Sequence, residues 1–207
     1  MALPPGYRSA LSVRDTEAAI KFIKDRFQDS LASSLGLRRV SAPIAVQAKS
    51  GINDELTGVE RPVRFLMKET GEEAEIVQSL AKWKRMALAD YGFLPGEGLY
   101  ADMNAIRPDE KLDQLHSVYV DQWDWERVMK PGERHLGHLK EAVKAIYRVV
   151  RDTERAVCKR HPQLGRPVLP AKVSFIHAED LEESYPELSP QEREDAICRA
   201  RGAVFLI

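Results

Sequence analysis

The residues most able to do chemistry are concentrated between Gln78 and Met129. The segment Val118-Tyr-Val-Asp-Gln-Trp-Asp-Trp-Glu126 reads as a strand, and side chains alternate between the two faces of a strand. Gln122, Asp124 and Glu126 share one face; Tyr119, Asp121, Trp123 and Trp125 share the other. The aromatic face is expected to pack on the core. The amide-and-carboxylate face is either a solvated surface or a recognition surface. A second strand opposes it, carrying Arg107 and followed by Asp109 and Glu110. Arginine's planar fork makes paired, charge-assisted hydrogen bonds to phosphate, and a carboxylate suits an α-ammonium group. Such a face can bind a zwitterion and a phosphate together. Lys82, Lys84 and Arg85 stand on one predicted helix nearby, at positions that on most helices are solvated.

The elements that must position these groups follow from hydrophobic periodicity. Ile20, Ile23, Phe27, Leu31 and Leu35 make one apolar stripe, so 15–35 is read as a helix, stopped by Gly36. Leu37–Val46 alternates and reads as a strand; Pro43 lacks an N–H, which places that strand at an edge or an interface. Residues 50–58 form a loop, and Val63, Phe65 and Met67 a second strand. Ser79–Asp90 is read as a helix ended by Gly92. A glycine-rich loop spans 93–101. Strands at about 101–107 and 117–127, joined by a polar loop 108–116, imply an antiparallel hairpin. A long helix covers 133–160, with Leu136, Leu139, Val143, Ile146, Val150 and Val157 on one face. A loop at 161–171 and a strand at 172–177 follow. Ser189-Pro-Gln-Glu192 is a capping box with proline at the first helical position; that helix ends at Gly202 and leads into a strand at 204–207. Helices and strands mix without strict βαβ alternation, which indicates an α+β fold.

The chain has 207 residues, 43% of them hydrophobic, enough for one domain with its own core. Residues 1–14 are read as a flexible tail and 15–207 as the domain. With 31 basic against 32 acidic residues and a net charge of -1, nothing favours bulk attraction to nucleic acid or an acidic membrane surface. No stretch approaches the roughly 20 apolar residues of a membrane span, and the N-terminus is not built as a secretory signal. Cys158 and Cys198 are unpatterned thiols, which fit a reducing cytoplasm and speak against a protein-held metal.

The segments QSLAKWK, GEGLY, RPDE and LHSVYVDQWDWERVM resemble the ammonia-dependent asparagine synthetases (aspartate–ammonia ligases), relatives of aspartyl-tRNA synthetase. The resemblance runs from about Glu17 to Ile207. It implies a class II aminoacyl-tRNA synthetase fold, an antiparallel sheet flanked by helices. Leu35–Pro43 resembles the first class II motif, which implies a homodimer through residues 17–46. Ile106–Glu110 and His116–Glu126 resemble the second motif.

The resemblance also implies roles. Lys84 turns inward to the side-chain carboxylate of L-aspartate, which Gln122 and Asp124 position. Arg107 holds the α-phosphate of ATP, either Asp109 or Glu110 is the following acid, and His116 lies near the γ-phosphate. Asp54 stands beside the reacting carboxylate and the ammonia. The implied reaction forms β-aspartyl-AMP and pyrophosphate, then L-asparagine and AMP, with Mg2+ on the phosphates and ammonia itself as nitrogen donor. In the family, the strand matching 203–207 is followed by a glycine-rich segment and a third, arginine-bearing motif. The chain is therefore expected to be C-terminally incomplete, to leave Val204–Ile207 poorly covered, and to show no aspartate-dependent ATP–pyrophosphate exchange alone. A non-catalytic remnant that only dimerises is the alternative. A tRNA-charging enzyme is disfavoured by the charge balance and by the lack of an anticodon-binding domain before Asp15.

Overall fold

The computed structural model describes residues 6–54, 56–113 and 116–207. Residues 1–5 of the expected tail, and Gln114 and Leu115 of the expected polar loop, lie outside the described residues. The chain divides into two compact units, one built on Leu35–Glu133, the other on Ser9–Ser34 together with Arg134–Ile207.

The first unit carries the hairpin. Three strands, β1 (Leu37–Arg39), β2 (Ala45–Gln47) and β3 (Arg64–Leu66), are followed by β4 (Glu73–Ile76), the helix Ala81–Asp90, and the long strands β5 (Gly98–Ile106) and β6 (Tyr119–Arg127). One sheet has the order β1-β5-β6, with β1 parallel to β5 and β5 antiparallel to β6 over nine residue pairs from Gly98↔Arg127 to Ile106↔Tyr119. The other is antiparallel, β2-β4-β3.

The single strand expected over 37–46 is thus two strands in two sheets. The Val40 N–H still bonds Tyr100 O at 2.9 Å, but Pro43 has no N–H to continue the ladder. It sits in the crossing between the sheets and belongs to neither. β4 was not foreseen: Glu73-Ala-Glu-Ile76 is too short and too charged to signal a strand, and it is held by neighbours on both sides. Two glycines permit tight contacts. Gly36 adopts φ 68° where a Cβ would stand 3.1 Å from Gly96 O, and a Cβ on Gly98 would meet Glu126 O at 2.5 Å.

The core of this unit lies between helix 81–90 and the β5–β6 hairpin. Val77, Leu80, Met103 and Ala105 form one buried cluster, and Ala87, Leu88 and Leu99 another, with Trp83 packed against both. Each such large side chain, fully buried, stabilises by about 1.5–3 kcal/mol. Leu99, Met103 and Ala105 lie opposite Glu126, Gln122 and Val120 in the ladder. The amide-and-carboxylate face of β6 is therefore the face turned to the core, not the aromatic face. On the aromatic side Tyr119 is 52% exposed, while Trp123 stacks on buried Tyr100 at 4.4 Å.

The second unit holds the N-terminal helix Val13–Leu35 as far as Ser34, the long helix Leu136–Arg160, strand β7 (Ser174–Ile176), two further helices at Ala178–Ser184 and Pro190–Arg201, and strand β8 (Val204–Leu206). The capping box forms as expected: the Ser189 N–H and hydroxyl donate to Glu192 Oε2 at 2.9 and 2.6 Å. β7 and β8 pair in parallel, with Phe175 and Phe205 rings 5.9 Å apart. On helix 136–160 the buried line runs through Val143, Val149, Thr153 and Val157; Leu136, Leu139 and Val150, expected on that face, are exposed. The helix Ala178–Ser184 carried no strong period and was not foreseen.

Candidate active site

Helix 81–90 decides where Lys84 goes. Leu80, Trp83, Ala87 and Leu88 recur at the spacing of one helical face, and Lys84 stands among them at a core position. Its side chain is 1% exposed. An ammonium group buried this far needs a counter-charge, and the Asp124 carboxylate on β6 supplies it. The two charges meet as an ion contact without a well-directed hydrogen bond. One step along, Arg85 Nε lies 3.5 Å from Glu126 Oε1. Helix and strand thus face one another through a row of charges bordered by the buried apolar clusters.

Gln78, two residues before the helix N-cap, is a separate buried polar junction. It is 1% exposed. Its N–H donates to Asn53 Oδ1 at 2.9 Å, its amide to Arg61 O at 3.2 Å, and its carbonyl accepts from Arg107 Nη2 at 3.4 Å. Arg107 Nε and Gln122 Oε1 are buried and, among the described residues, have no hydrogen-bond partner. An unmet donor on a guanidinium and an unmet amide oxygen are costly, about 1–3 kcal/mol each. Together they are suited to a ligand that offers an anion to one and a donor to the other.

Asp54 does structural work. Its Oδ2 accepts from Ser79 Oγ at 3.1 Å, from the Ala81 N–H at 2.9 Å and from the Lys82 N–H at 3.4 Å. It caps helix 81–90 from a distant loop, because Leu80 in the N-cap position has no side chain able to do so. A carboxylate there also meets the positive end of the helix dipole. Asp54 Oδ1 faces Lys82 Nζ at 3.8 Å, and that ammonium also donates to Gly51 O and Asn53 O at 3.3 and 3.4 Å.

A cavity of about 510 Å³ opens beside Asp54 and Gln78, lined further by Asn53, Arg61, Arg64 and Glu75. Buried Glu75 accepts from Arg64 Nε at 3.0 Å and from Asn53 Nδ2 at 3.2 Å. Sequence reasoning missed Asn53, Arg61, Arg64 and Glu75. No local pattern marks them; they meet only because β3, β4 and the 51–62 loop close on one another.

The remaining expected residues are placed unequally. Asp109 is taken up by Arg61, whose Nε and Nη2 lie 3.1 and 2.5 Å from its oxygens and whose backbone N–H donates to it at 2.8 Å. The Arg61 hydrogen bonds hold the Asp109 carboxyl down, from 3.8 to about 2. Among the described residues Glu110 has no such partner, its N–H closing a turn to Arg107 O at 3.2 Å. His116 Nδ1 lies 2.8 Å from Asp113 Oδ2, both side chains exposed. Lys84, Asp124, Arg107, Gln122, Asp109, Glu110 and His116 do not line the 510 Å³ cavity. Lys84 and Asp124 are brought together, and Arg107 and Asp54 each contact the short segment Gln78–Ser79. Among the described residues no three acidic, histidine or cysteine side chains converge as a metal site. The described residues do not by themselves fit a resident Mg2+.

The fold class is that of the class II aminoacyl-tRNA synthetases. Asparaginyl-tRNA synthetase from Pyrococcus horikoshii, solved with asparaginyl-adenylate, superposes with a TM-score of 0.66 at 14% identity, covering 93% of this chain and 45% of that one. The Entamoeba histolytica asparaginyl-tRNA synthetase gives 0.61 at 14% identity, over 94% and 44%. The sequence is more specific: the model of the aspartate–ammonia ligase family matches residues 14–207, and the chain belongs to that family. It is 54% identical to the aspartate–ammonia ligase of Bacillus cytotoxicus over 201 residues, 97% of this chain and 61% of that protein. It is 55% identical to that of Parabacteroides distasonis over 205 residues, 99% of this chain and 59% of the relative. The chain therefore spans about 60% of the length of these relatives.

Proposed function

We propose that this protein joins ammonia to L-aspartate at the expense of ATP, giving L-asparagine, AMP and pyrophosphate. The observation that carries the reading is Lys84: a lysine at a core position of helix 81–90, paired with Asp124. Such a charge is expensive to bury, and its burial is accounted for when the pair opens to an amino-acid substrate, Lys84 taking the side-chain carboxylate and Asp124 the α-ammonium. Gln122, with its unmet Oε1, supports the same ligand.

In the first step an oxygen of the β-carboxylate attacks the α-phosphorus of ATP and pyrophosphate leaves. Arg107, with a buried Nε free of acceptors, neutralises charge on the α-phosphate. Asp109 is held by Arg61, which leaves Glu110 as the acid of that turn for the nucleotide, with His116 toward its far phosphates. Any Mg2+ would come with the triphosphate of ATP and would supply charge neutralisation there, since the described residues offer no group of ligands for it. In the second step the ammonia nitrogen attacks the acyl carbon, the bond to AMP breaks, and a proton is lost from nitrogen. We assign this step to Asp54: while Oδ2 accepts from the helix N-terminus, Oδ1 orients the ammonia and takes the proton. We further propose a homodimer through residues 17–46, supported by exposed Ile20, Ile23 and Ile44 in that segment.

The test is product analysis of a polypeptide carrying this chain at the full length of the Bacillus cytotoxicus ligase, with that protein supplying what the chain does not span. Aspartate, ATP and ammonium should yield asparagine and AMP in equal amounts. ADP in place of AMP would overturn the adenylate mechanism, and absence of asparagine would overturn the ligase reading.

A further inference from the structure

The second unit contains a cavity of about 450 Å³ between the helix Leu136–Arg160, the 171–173 loop and β7, within the size range of small-ligand sites. Lys144, Arg148, Arg151 and Lys172 line it together with the rings of Tyr147 and Phe175, and no acidic side chain does. Lys144, Arg148 and Lys172 form no ion pair among the described residues. Arg151 is tied by Nη1 to Ala171 O at 2.6 Å, and its Nη2 is 3.8 Å from Asp152, while its Nε is buried without an acceptor. The nearby Glu154 is spent on the Val168 and Leu169 N–H groups. Lys140 adds a further cation 5.5 Å from the Phe175 ring centroid. In a chain of net charge -1 this is a local concentration of cations, Lys144, Arg148 and Lys172 among them without an ion pair among the described residues, around walls that are mostly carbon.

We propose that this cavity binds an organic phosphate monoester. The guanidinium of Arg151, with Lys144, Arg148 and Lys172, takes the dianionic head, and Tyr147 and Phe175 take a flat apolar body. Four cations exceed what a single carboxylate balances, and ring walls suit a planar group better than inorganic phosphate. A nucleic-acid backbone is less favoured, because the cations converge on a concavity and the chain as a whole has no basic surplus. The site is independent of the ligase reading.

The test is calorimetric titration of the 207-residue chain with phenyl phosphate, inorganic phosphate and phenol. Phenyl phosphate should bind at least about tenfold more tightly than either other probe, since only it offers both charge and ring. The double substitution Lys144→Gln/Arg148→Gln, on the exposed side of its helix, should weaken it at least about tenfold with an unchanged helical circular dichroism spectrum. Lys172→Gln, in the loop, should weaken it in the same direction. Unaltered affinity in Arg107→Ala protein would locate the binding away from the candidate ATP site. No binding, equal affinity for inorganic phosphate, unchanged affinity in both variants, or loss of affinity in Arg107→Ala would overturn the proposal. So would a preference for single-stranded RNA over phenyl phosphate.

Discussion

Lys84 and Asp124 face each other across the interface of helix 81–90 and strand β6, the lysine 1% exposed and the aspartate side chain 32%. The lysine is thus locked into the core while its partner retains access to solvent. In the proposed function, an incoming ligand carboxylate replaces that of Asp124 at the ammonium from this open side.

In the fusion with the Bacillus cytotoxicus ligase described above, Lys84→Ala should therefore raise the aspartate KM far more than the ATP KM. Loss of a charge-assisted contact to a carboxylate is worth about 1.5–3 kcal/mol, on the order of 10- to 150-fold. Steady-state kinetics with each substrate varied in turn gives the answer. A larger aspartate effect from Lys82→Ala, whose ammonium is half-exposed beside Asp54, would reverse the assignment of the two lysines.

Asp54 combines a cap with a proposed catalytic role, and two substitutions separate them. Asp54→Ala removes the acceptor for the Ala81 and Lys82 N–H groups and should destabilise the chain by about 1 kcal/mol, as loss of an N-cap does. Asp54→Asn keeps an oxygen for the cap and should stay within a few tenths of a kcal/mol of the parent. Urea unfolding measures both. In the same fusion protein Asp54→Asn should still lose ammonia-dependent product formation. Activity retained in Asp54→Asn would confine Asp54 to capping.

The Arg61–Asp109 pair sets an acid limit. Its folded carboxyl lies near 2 against an ordinary 3.8, so the pair's contribution is complete above the ordinary value and is lost as pH falls through about 2. An NMR titration of the Asp109 carboxyl should place the midpoint near 2 in the parent and return it toward 3.8 in Arg61→Gln. An unshifted midpoint in that variant would mean the ion pair is not what holds Asp109 ionised.

Gly98 marks where β1, β5 and β6 come closest. A methyl group there would stand 2.5 Å from Glu126 O and 3.0 Å from Arg127 Cα, and backbone cannot rotate away as a side chain could. Gly98→Ala should cost about 1–3 kcal/mol, the scale of overpacking. Chemical denaturation reads it. A neutral result would show that the hairpin end yields more easily than its geometry implies.

Much of the architecture is legible in local pattern, because local pattern is what caps and periods encode. Ser189 with Glu192 starts its helix as expected, the 98–127 hairpin pairs antiparallel, and the residues of β6 partition into the two sets that alternation dictates. The inward position of Lys84 was implied by the resemblance and not by local pattern, which leaves Lys82, Lys84 and Arg85 alike; in the fold it stands on the face of buried Leu80, Ala87 and Leu88.

Tertiary structure decided what alternation leaves open. A period of two sorts side chains into faces without saying which face is covered; here helix 81–90 lies against Gln122, Asp124 and Glu126, so the polar set became the enclosed one. The break at Pro43 sent 37–47 into two sheets, a choice made by which strands offered partners rather than by the residues' own preference. Local sequence leaves Asp109 and Glu110 equivalent, and Arg61, 48 residues away, distinguishes them by claiming one. Asp54 likewise acquires its cap role from a helix 27 residues on. Ion pairs and caps between distant segments have no signature in local spacing, since they depend on where the folded backbone brings two charges within a few ångströms.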